Sequence, residues 1–421
     1  MERFIVNGGK PIEGEINICG AKNSAVAILP ATILAKGTCT IENVPDIADV
    51  RLLLHILQSC GASVDWHDDG SVIIDTSNAV SCEPPAEDAR KLRAAYYFLG
   101  VMLARFGTAR IALPGGCDLG PRPIDQHLKA FSAMGCDWKV EHGTIEVKCR
   151  YQKLHGAHIF FDTVSVGATI NAILAASMAE GKTVLENVAR EPHIVDVANF
   201  INSMGGDVRG AGTDVIKIRG VDFFRPSEYS VVPDQIEAGT YMAAAVATKG
   251  DITILNIIPK HLEVIEDKLI RVGAEIDEWD DSLRITRRGP LYSTNLNTKP
   301  YPGFPTDMQP QLAVLLSMAN GTSIVNEGIW ESRFKHADEL RRMGAKIEAD
   351  GKQAVIEGVR KLMPADMRAP DLRAGAALVI AALAAEGTSR ISDVKYIDRG
   401  YEKIVEKLTA VGADIRREIL G

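Results

Sequence analysis

INAILAASMAEGKTVL, residues Ile170–Leu185, sets an Ala/Ile/Leu-rich run of helix-forming length against a glycine and then a short β-rich stretch. Glycine at that point is a natural helix C-cap, because it enters the left-handed region without a Cβ clash. The pattern recurs six times, in Ile28–Gly37, Tyr96–Gly107, Ile170–Gly181, Tyr241–Gly250, Leu312–Gly321 and Leu378–Gly387. The β-rich runs that follow are Cys39–Ile41, Ala109–Leu113, Thr183–Leu185, Ile252–Leu255, Ser323–Val325 and Ser389–Ile391. Each copy then continues through a loop into an amphipathic helix ending at a glycine step, Gly61, Gly135, Gly205, Gly273, Gly344 or Gly412, at spacings of 74, 70, 68, 71 and 68 residues. A repeat of this length is one supersecondary unit that buries its apolar face against its neighbours.

Two short alternating strands follow each of the first five steps, as in Ser63–Trp66 with Ser71–Asp75, or Asp137–Val140 with Thr144–Val147. His142-Gly143 and Asp350-Gly351 fall where tight hairpin turns are required. The sixth copy ends at Ala413–Ile419 with one strand, and Arg3–Val6 at the other end of the chain is the expected replacement. Six units of the form strand–helix–strand–helix–strand–strand predict an α/β protein of two lobes of three, or a single solenoid. Closure by the N-terminal strand favours lobes. Their expected extents are 21–230, and 1–20 with 231–421, with crossings near Phe223–Val232 and Gly20-Ala21. A cleft between lobes is the expected place for a small-molecule site.

The 421 residues are 46% hydrophobic and 24% charged, with a net charge of -8, enough for a large core in two domains. An acidic chain gives no electrostatic reason to expect nucleic acid or an anionic membrane as a partner. The small-apolar run Ala374–Ala385 is short of the roughly 20 residues that cross a bilayer. Seven scattered cysteines without a CxxC pair, and no secretory leader, predict reducing cytoplasm, with Cys19, Cys39, Cys60, Cys82, Cys136 and Cys149 as core or half-buried thiols. His127, His261 and His336 lack metal-ligand spacing, so no metal is expected. GxxxxGK[ST], strand–GxGxxG–helix and GxSxG signatures are absent, which removes the usual sequence support for nucleotide hydrolysis, Rossmann hydride transfer and serine-hydrolase chemistry.

The segments fit for chemistry precede the core helices. Leu113–Pro123, LPGGCDLGPRP, presents Cys117 and Arg122 on backbone that can be neither helix nor regular strand; it is either a turn around an inert cysteine or a site. In GAKNS, Lys22 and Asn23 beside a helix start can hold a phosphate or carboxylate, or can be a solvated N-cap. Equivalent places carry KLR (Lys91–Arg93), TVSVGAT (Thr163–Thr169), PDQIE (Pro233–Glu237), PTDMQ (Pro305–Gln309) and PDLR (Pro370–Arg373). Lys22, Arg93, Arg122, Arg333, Arg373 and Arg399 all stand near such junctions, and guanidinium suits bidentate recognition of carboxylate and phosphate. Asp307, on the Pro/Gly-framed turn PGFPTDM, is a candidate base or an N-cap.

GAKNS (Gly20–Ser24), KLRAA (Lys91–Ala95), LPGGCDLGPRPID (Leu113–Asp125), SVGAT (Ser165–Thr169), EPHIVD (Glu191–Asp196), YPGFPTDMQ (Tyr301–Gln309), ESRF (Glu331–Phe334), DLRA (Asp371–Ala374) and IDRGYE (Ile397–Glu402) span nearly the whole chain. Together they resemble the enolpyruvyl transferase family, in its branch acting on UDP-N-acetylglucosamine at the first committed step of peptidoglycan synthesis. The resemblance implies an inside-out α/β barrel fold, two lobes each built from three βαβαββ-type repeats. It implies transfer of the enolpyruvyl group of phosphoenolpyruvate to the 3′-hydroxyl of UDP-N-acetylglucosamine with release of phosphate, and no cofactor.

By the same resemblance, Cys117 is the lid residue that protonates the methylene carbon, forms a covalent adduct and is the target of the epoxide fosfomycin. Asp307 is the base, and Lys22 is a further catalytic group. Lys22, Asn23, Arg122, Arg373 and Arg399 correspond to phosphoenolpyruvate-binding residues. Arg93, Arg122, Pro123, Ile124, Asp125, Gln126, Ser165, Val166, Gly167, Asp307 and Ile329 correspond to those on the UDP-sugar, and Arg333 to a residue lining the closed cleft. Thr163 stands where many members have lysine, so a diphosphate contact there is lost, moved or made by another basic residue. A monomer or weak homo-oligomer is expected.

Overall fold

The computed structural model describes residues 2–81, 83–113 and 124–419, which fall into two compact units: residues 20–113 with 124–232, and residues 2–19 with 233–419. Each unit has its own hydrophobic core. In the first, the helix Tyr97–Phe106 packs against both Lys22–Ala31 and Val166–Ala176; in the second, Gln235–Thr248, Gln309–Ser317 and Leu372–Ala384 pack against one another. These helices are small and apolar on nearly every face, so burial all round is their stable state. Gly100 permits a close approach: its N–H reaches Asn171 Oδ1 at 2.9 Å, and a Cβ there would lie 2.7 Å from the Asn171 carbonyl oxygen.

The core helices begin earlier than their apolar runs, at Gln235 and not Tyr241, at Leu372 and not Leu378, at Lys22 and not Ile28. Their first turns mix polar residues, glycine and small residues with few large apolar ones; Ser165, Asp234 and Asp371 cap three of the core helices by accepting backbone N–H bonds. Lys22 is therefore inside the first helical turn. All six step glycines have φ between 87° and 114°, as the pattern requires. In the fourth copy Lys249 takes the left-handed cap position instead, and Gly250 packs where a Cβ would sit 2.4 Å from the Ile12 carbonyl oxygen.

Strands of the described residues form six sheets, five four-stranded on one repeated plan and one of three antiparallel strands, Thr108–Ala112, Thr144–Cys149 and Cys136–Glu141. In the third copy, Lys182–Glu186 pairs antiparallel with Val215–Arg219, which also carries Asp207–Arg209, while His158–Phe160 lies parallel at the edge. The sixth sheet is completed as expected: Glu2–Gly8 lies antiparallel between Gly387–Ser392 and Asp414–Ile419. Two edge strands are exchanged. Glu13–Asn17 precedes the first core helix yet pairs parallel with Asp251–Leu255, and Glu228–Ser230 precedes the fourth yet pairs parallel with Thr38–Glu42. Chain crossings at 19–20 and 232–233 produce that exchange.

Cys60 is a correction: it is disulfide-bonded, whereas Cys19, Cys39, Cys136 and Cys149 are free thiols. Among the described residues no helix is long and apolar enough to cross a membrane.

One buried acid gives the second unit a pH-dependent stability. Burial, reinforced by the charge of Glu278, pushes Glu266 up to about 7. A carboxyl raised in the folded state contributes nothing adverse below the unfolded value near 4.5 and costs stability progressively as pH rises to about 7, on the order of 2–3 kcal/mol at the plateau. Glu266→Gln is expected to raise the melting midpoint by several degrees at pH 8, and the gain should shrink as the pH is lowered to 4.5. A gain independent of pH would assign the effect to packing.

Candidate active site

In the first unit, Lys22 opens its helix with an ion pair to Asp49, Nζ to Oδ2 2.7 Å, both side chains largely buried. Asp49 lies in the first turn of Ala48–Ser59, where it reads from sequence as an ordinary N-terminal acid. Asn23 follows Lys22 on the same turn and is half-buried.

A second group is built around His127. The guanidinium of Arg93, in the turn Arg93–Tyr96, stacks 5.8 Å from the Tyr96 ring centroid, and that ring lies 5.9 Å from the His127 ring. A Cβ on Gly167 would meet His127 Nε2 at 3.0 Å. Burial, with Arg93 nearby, pushes His127 down to about 4, so a neutral imidazole packs here. Gln126, buried, donates from Nε2 to Asp125 Oδ2 at 2.8 Å and accepts the Asp162 N–H at Oε1 at 3.0 Å. That joins the start of the helix Asp125–Ala133, after half-buried Ile124, to the segment leading into Ser165, Val166 and Gly167. Ser165 caps the helix Val166–Ala176, and Thr163 ahead of it is exposed. Arg93, Gln126 and Ser165–Gly167 are thus brought together, by a histidine the sequence reading had set aside.

In the second unit, Asp307 lies in the turn Thr306–Met308 and is gripped by two guanidinium groups. Arg333 Nη2 donates to Oδ1 at 3.1 Å and Arg373 Nε donates to Oδ2 at 3.0 Å. The arginine side chains are 2% and 4% exposed, the carboxylate 29%. Arg333 also donates twice to the Thr306 carbonyl, at 3.2 Å each, and lies 3.9 Å from Asp371. Asp371 caps its helix through the N–H groups of Arg373 and Ala374.

Arg373 stacks on the Tyr401 ring at 5.5 Å, and the Tyr401 hydroxyl is 2.9 Å from Thr240 Oγ1 and accepts from Gln311 Nε2 at 3.3 Å. Burial opposes the charge on Arg373 most strongly, but Asp307, Tyr401 and Asp234 together outweigh it, and the guanidinium stays protonated above the ordinary arginine range. Its buried Nη1 has no hydrogen-bond partner among the described residues. A donor left in that state suits an anionic oxygen. Ile329 is half-buried, and Arg399 ends the turn Val394–Arg399. Cys117, Arg122 and Pro123 lie outside the described residues.

The chain belongs to the enolpyruvyl transferases: the family model described as EPSP synthase (3-phosphoshikimate 1-carboxyvinyltransferase) matches residues 6–408. Within that class it is 55% identical over 419 residues to UDP-N-acetylglucosamine 1-carboxyvinyltransferase 2 of Clostridium acetobutylicum, covering 99% of this chain and 100% of that one. It is 54% identical over 418 residues to UDP-N-acetylglucosamine 1-carboxyvinyltransferase of Clostridium botulinum, with the same coverage. Among solved structures, the enolpyruvyl transferase NikO from Streptomyces tendae matches with a TM-score of 0.90 at 27% identity, over 100% of this chain and 99% of that one.

Proposed function

We propose that this chain transfers the enolpyruvyl group of phosphoenolpyruvate to the 3′-hydroxyl of UDP-N-acetylglucosamine and releases phosphate, the first committed step of peptidoglycan synthesis. The observation that carries this reading is end-to-end identity of 54–55% with relatives named for that reaction.

The chemistry is addition and elimination. The 3′-oxygen bonds to C2 of phosphoenolpyruvate as its proton passes to a base and a second proton reaches C3, giving a tetrahedral ketal. Collapse then breaks the bond from C2 to the phosphate oxygen, and C3 gives back a proton to restore the double bond. One acid and one base beside a cationic pocket are required.

Asp307 is the base, oriented by Arg333 and Arg373, which is supported by its partial exposure between two buried cations. Cys117 is the acid and adduct site, a role resting on the PGGC motif, and Arg122 acts beside it. Lys22, Asn23, Arg373 and Arg399 bind phosphoenolpyruvate, whose carboxylate and phosphate suit ammonium and guanidinium. Arg93, Asp125, Gln126, Ser165–Gly167 and Ile329 hold the UDP-sugar. The N-terminus of the helix Val166–Ala176 supplies N–H groups for a diphosphate oxygen where Thr163 cannot.

Purified protein given phosphoenolpyruvate and UDP-N-acetylglucosamine is expected to release phosphate. Release with shikimate 3-phosphate alone, or with neither acceptor, would overturn the assignment.

A further inference from the structure

We propose that Glu327 is an acceptor-positioning residue: its carboxylate ties the backbone of Ile329 to the turn that carries Asp307. The proposal rests on the reading of Ile329 and Asp307 as groups that hold the UDP-sugar. Glu327 directly follows the strand Thr322–Asn326, and its N–H continues that ladder by donating to the Lys352 carbonyl at 2.7 Å. Only 2% exposed, its carboxylate is buried where a charge needs several donors. It has them. Oε1 accepts the N–H groups of Ile329 at 2.9 Å and Trp330 at 3.1 Å, and Oε2 accepts the Thr306 hydroxyl at 3.1 Å.

Thr306 is thereby held at its hydroxyl by Glu327 and at its carbonyl by Arg333, and the next residue is Asp307. The loop is fixed from below as well: Gly328 N–H donates to Thr298 Oγ1 at 2.9 Å, and a Cβ at position 328 would lie 2.4 Å from the Thr298 carbonyl oxygen. A loop staple would need only the Ile329 and Trp330 bonds. The third bond reaches a segment 21 residues earlier and ends one residue from Asp307, so the acceptor contact at Ile329 and the base move as one body.

The test varies each substrate in phosphate-release assays of the full-length chain with Glu327→Ala, Glu327→Gln and Thr306→Val. Glu327→Ala is expected to raise KM for UDP-N-acetylglucosamine about tenfold or more and to lower kcat by a similar factor, with KM for phosphoenolpyruvate within about twofold of wild type. Glu327→Gln should recover most of both, because its amide oxygen can accept the two backbone N–H bonds while its NH₂ donates to the Thr306 hydroxyl oxygen. Thr306→Val cuts the cross-link and keeps the staple, so kcat should fall more than the acceptor KM rises.

An unchanged acceptor KM in Glu327→Ala, or both KM values rising together in step with a lowered melting midpoint, overturns the proposal. Should the alanine variant fail to fold, Thr306→Val decides it, and wild-type kcat in that variant overturns it. Wild-type protein assayed alongside separates the two levels: no release with UDP-N-acetylglucosamine rejects the activity itself, while an active wild type with an unaffected variant rejects only the role of Glu327.

Discussion

Asp307→Asn is expected to lower kcat for phosphate release about 10²–10⁴-fold, the usual worth of a positioned general base. Asparagine keeps the shape of the side chain, and its one amide oxygen can still accept from one of the two guanidinium groups that Asp307 binds through separate oxygens, but its NH₂ meets the other donor and it cannot take a proton from the attacking hydroxyl. The substitution also removes the charge that offsets two buried guanidinium groups. Breaking a fully buried pair in this way costs about 3–5 kcal/mol. Here the carboxylate is 29% exposed and Arg333 keeps the Thr306 carbonyl, so a loss of about 1–2 kcal/mol is the better expectation. Catalytic and structural effects therefore separate: calorimetry should record a modest fall in melting midpoint while activity nearly vanishes. A variant with kcat within about tenfold of wild type would remove Asp307 from the role of base.

What made Asp307 visible in the sequence was its turn, framed by proline and glycine ahead of an apolar helix. Its arginines were visible too, as cations at junctions in an acidic chain. Their convergence was not, because Arg333 and Arg373 lie 26 and 66 residues away and no local period links them. Asp49, His127, Tyr401 and Glu327 escaped for the same reason. Each reads locally as a helix-terminal acid, a core ring or a loop acid, and acquires its meaning only from a partner on another element.

The fold was legible to the extent that it is local. Glycine steps and hairpin turns report the backbone of their own residues, and all six steps took the left-handed conformation they predicted. The exchanged edge strands carry no such signal. Glu228–Ser230 is three residues long, and its parallel partner Thr38–Glu42 lies in the first repeat, so neither composition nor periodicity marks the pairing. Apolar periodicity likewise reported the buried middle of the core helices and missed first turns that interrupt it with polar residues and glycine.

The N-terminal strand offers the second large effect, because it is a central strand supplied from the far end of the chain. Glu2–Gly8 makes six residue pairs with Gly387–Ser392 and six with Asp414–Ile419. Phe4 and Val6 are completely buried and the strand packs on the helix Leu372–Ala384; Ile5 is buried on the opposite face. Phe4→Ala alone is expected to cost about 3–5 kcal/mol, comparable with the lower part of the 5–15 kcal/mol that holds a typical protein folded. Deleting residues 1–8 removes both ladders as well, leaves two unpaired edges facing each other and should abolish the cooperative unfolding of the second unit in calorimetry. A peptide of residues 1–10 added in trans should restore that transition in a concentration-dependent way, since a segment that binds only the folded sheet stabilises it by mass action. A scrambled peptide should not, because shifting the pairing by one residue turns Phe4 and Val6 away from the core. Unchanged melting of the truncated chain would mean that the sheet closes without its central strand, against the continuous pairing on both sides.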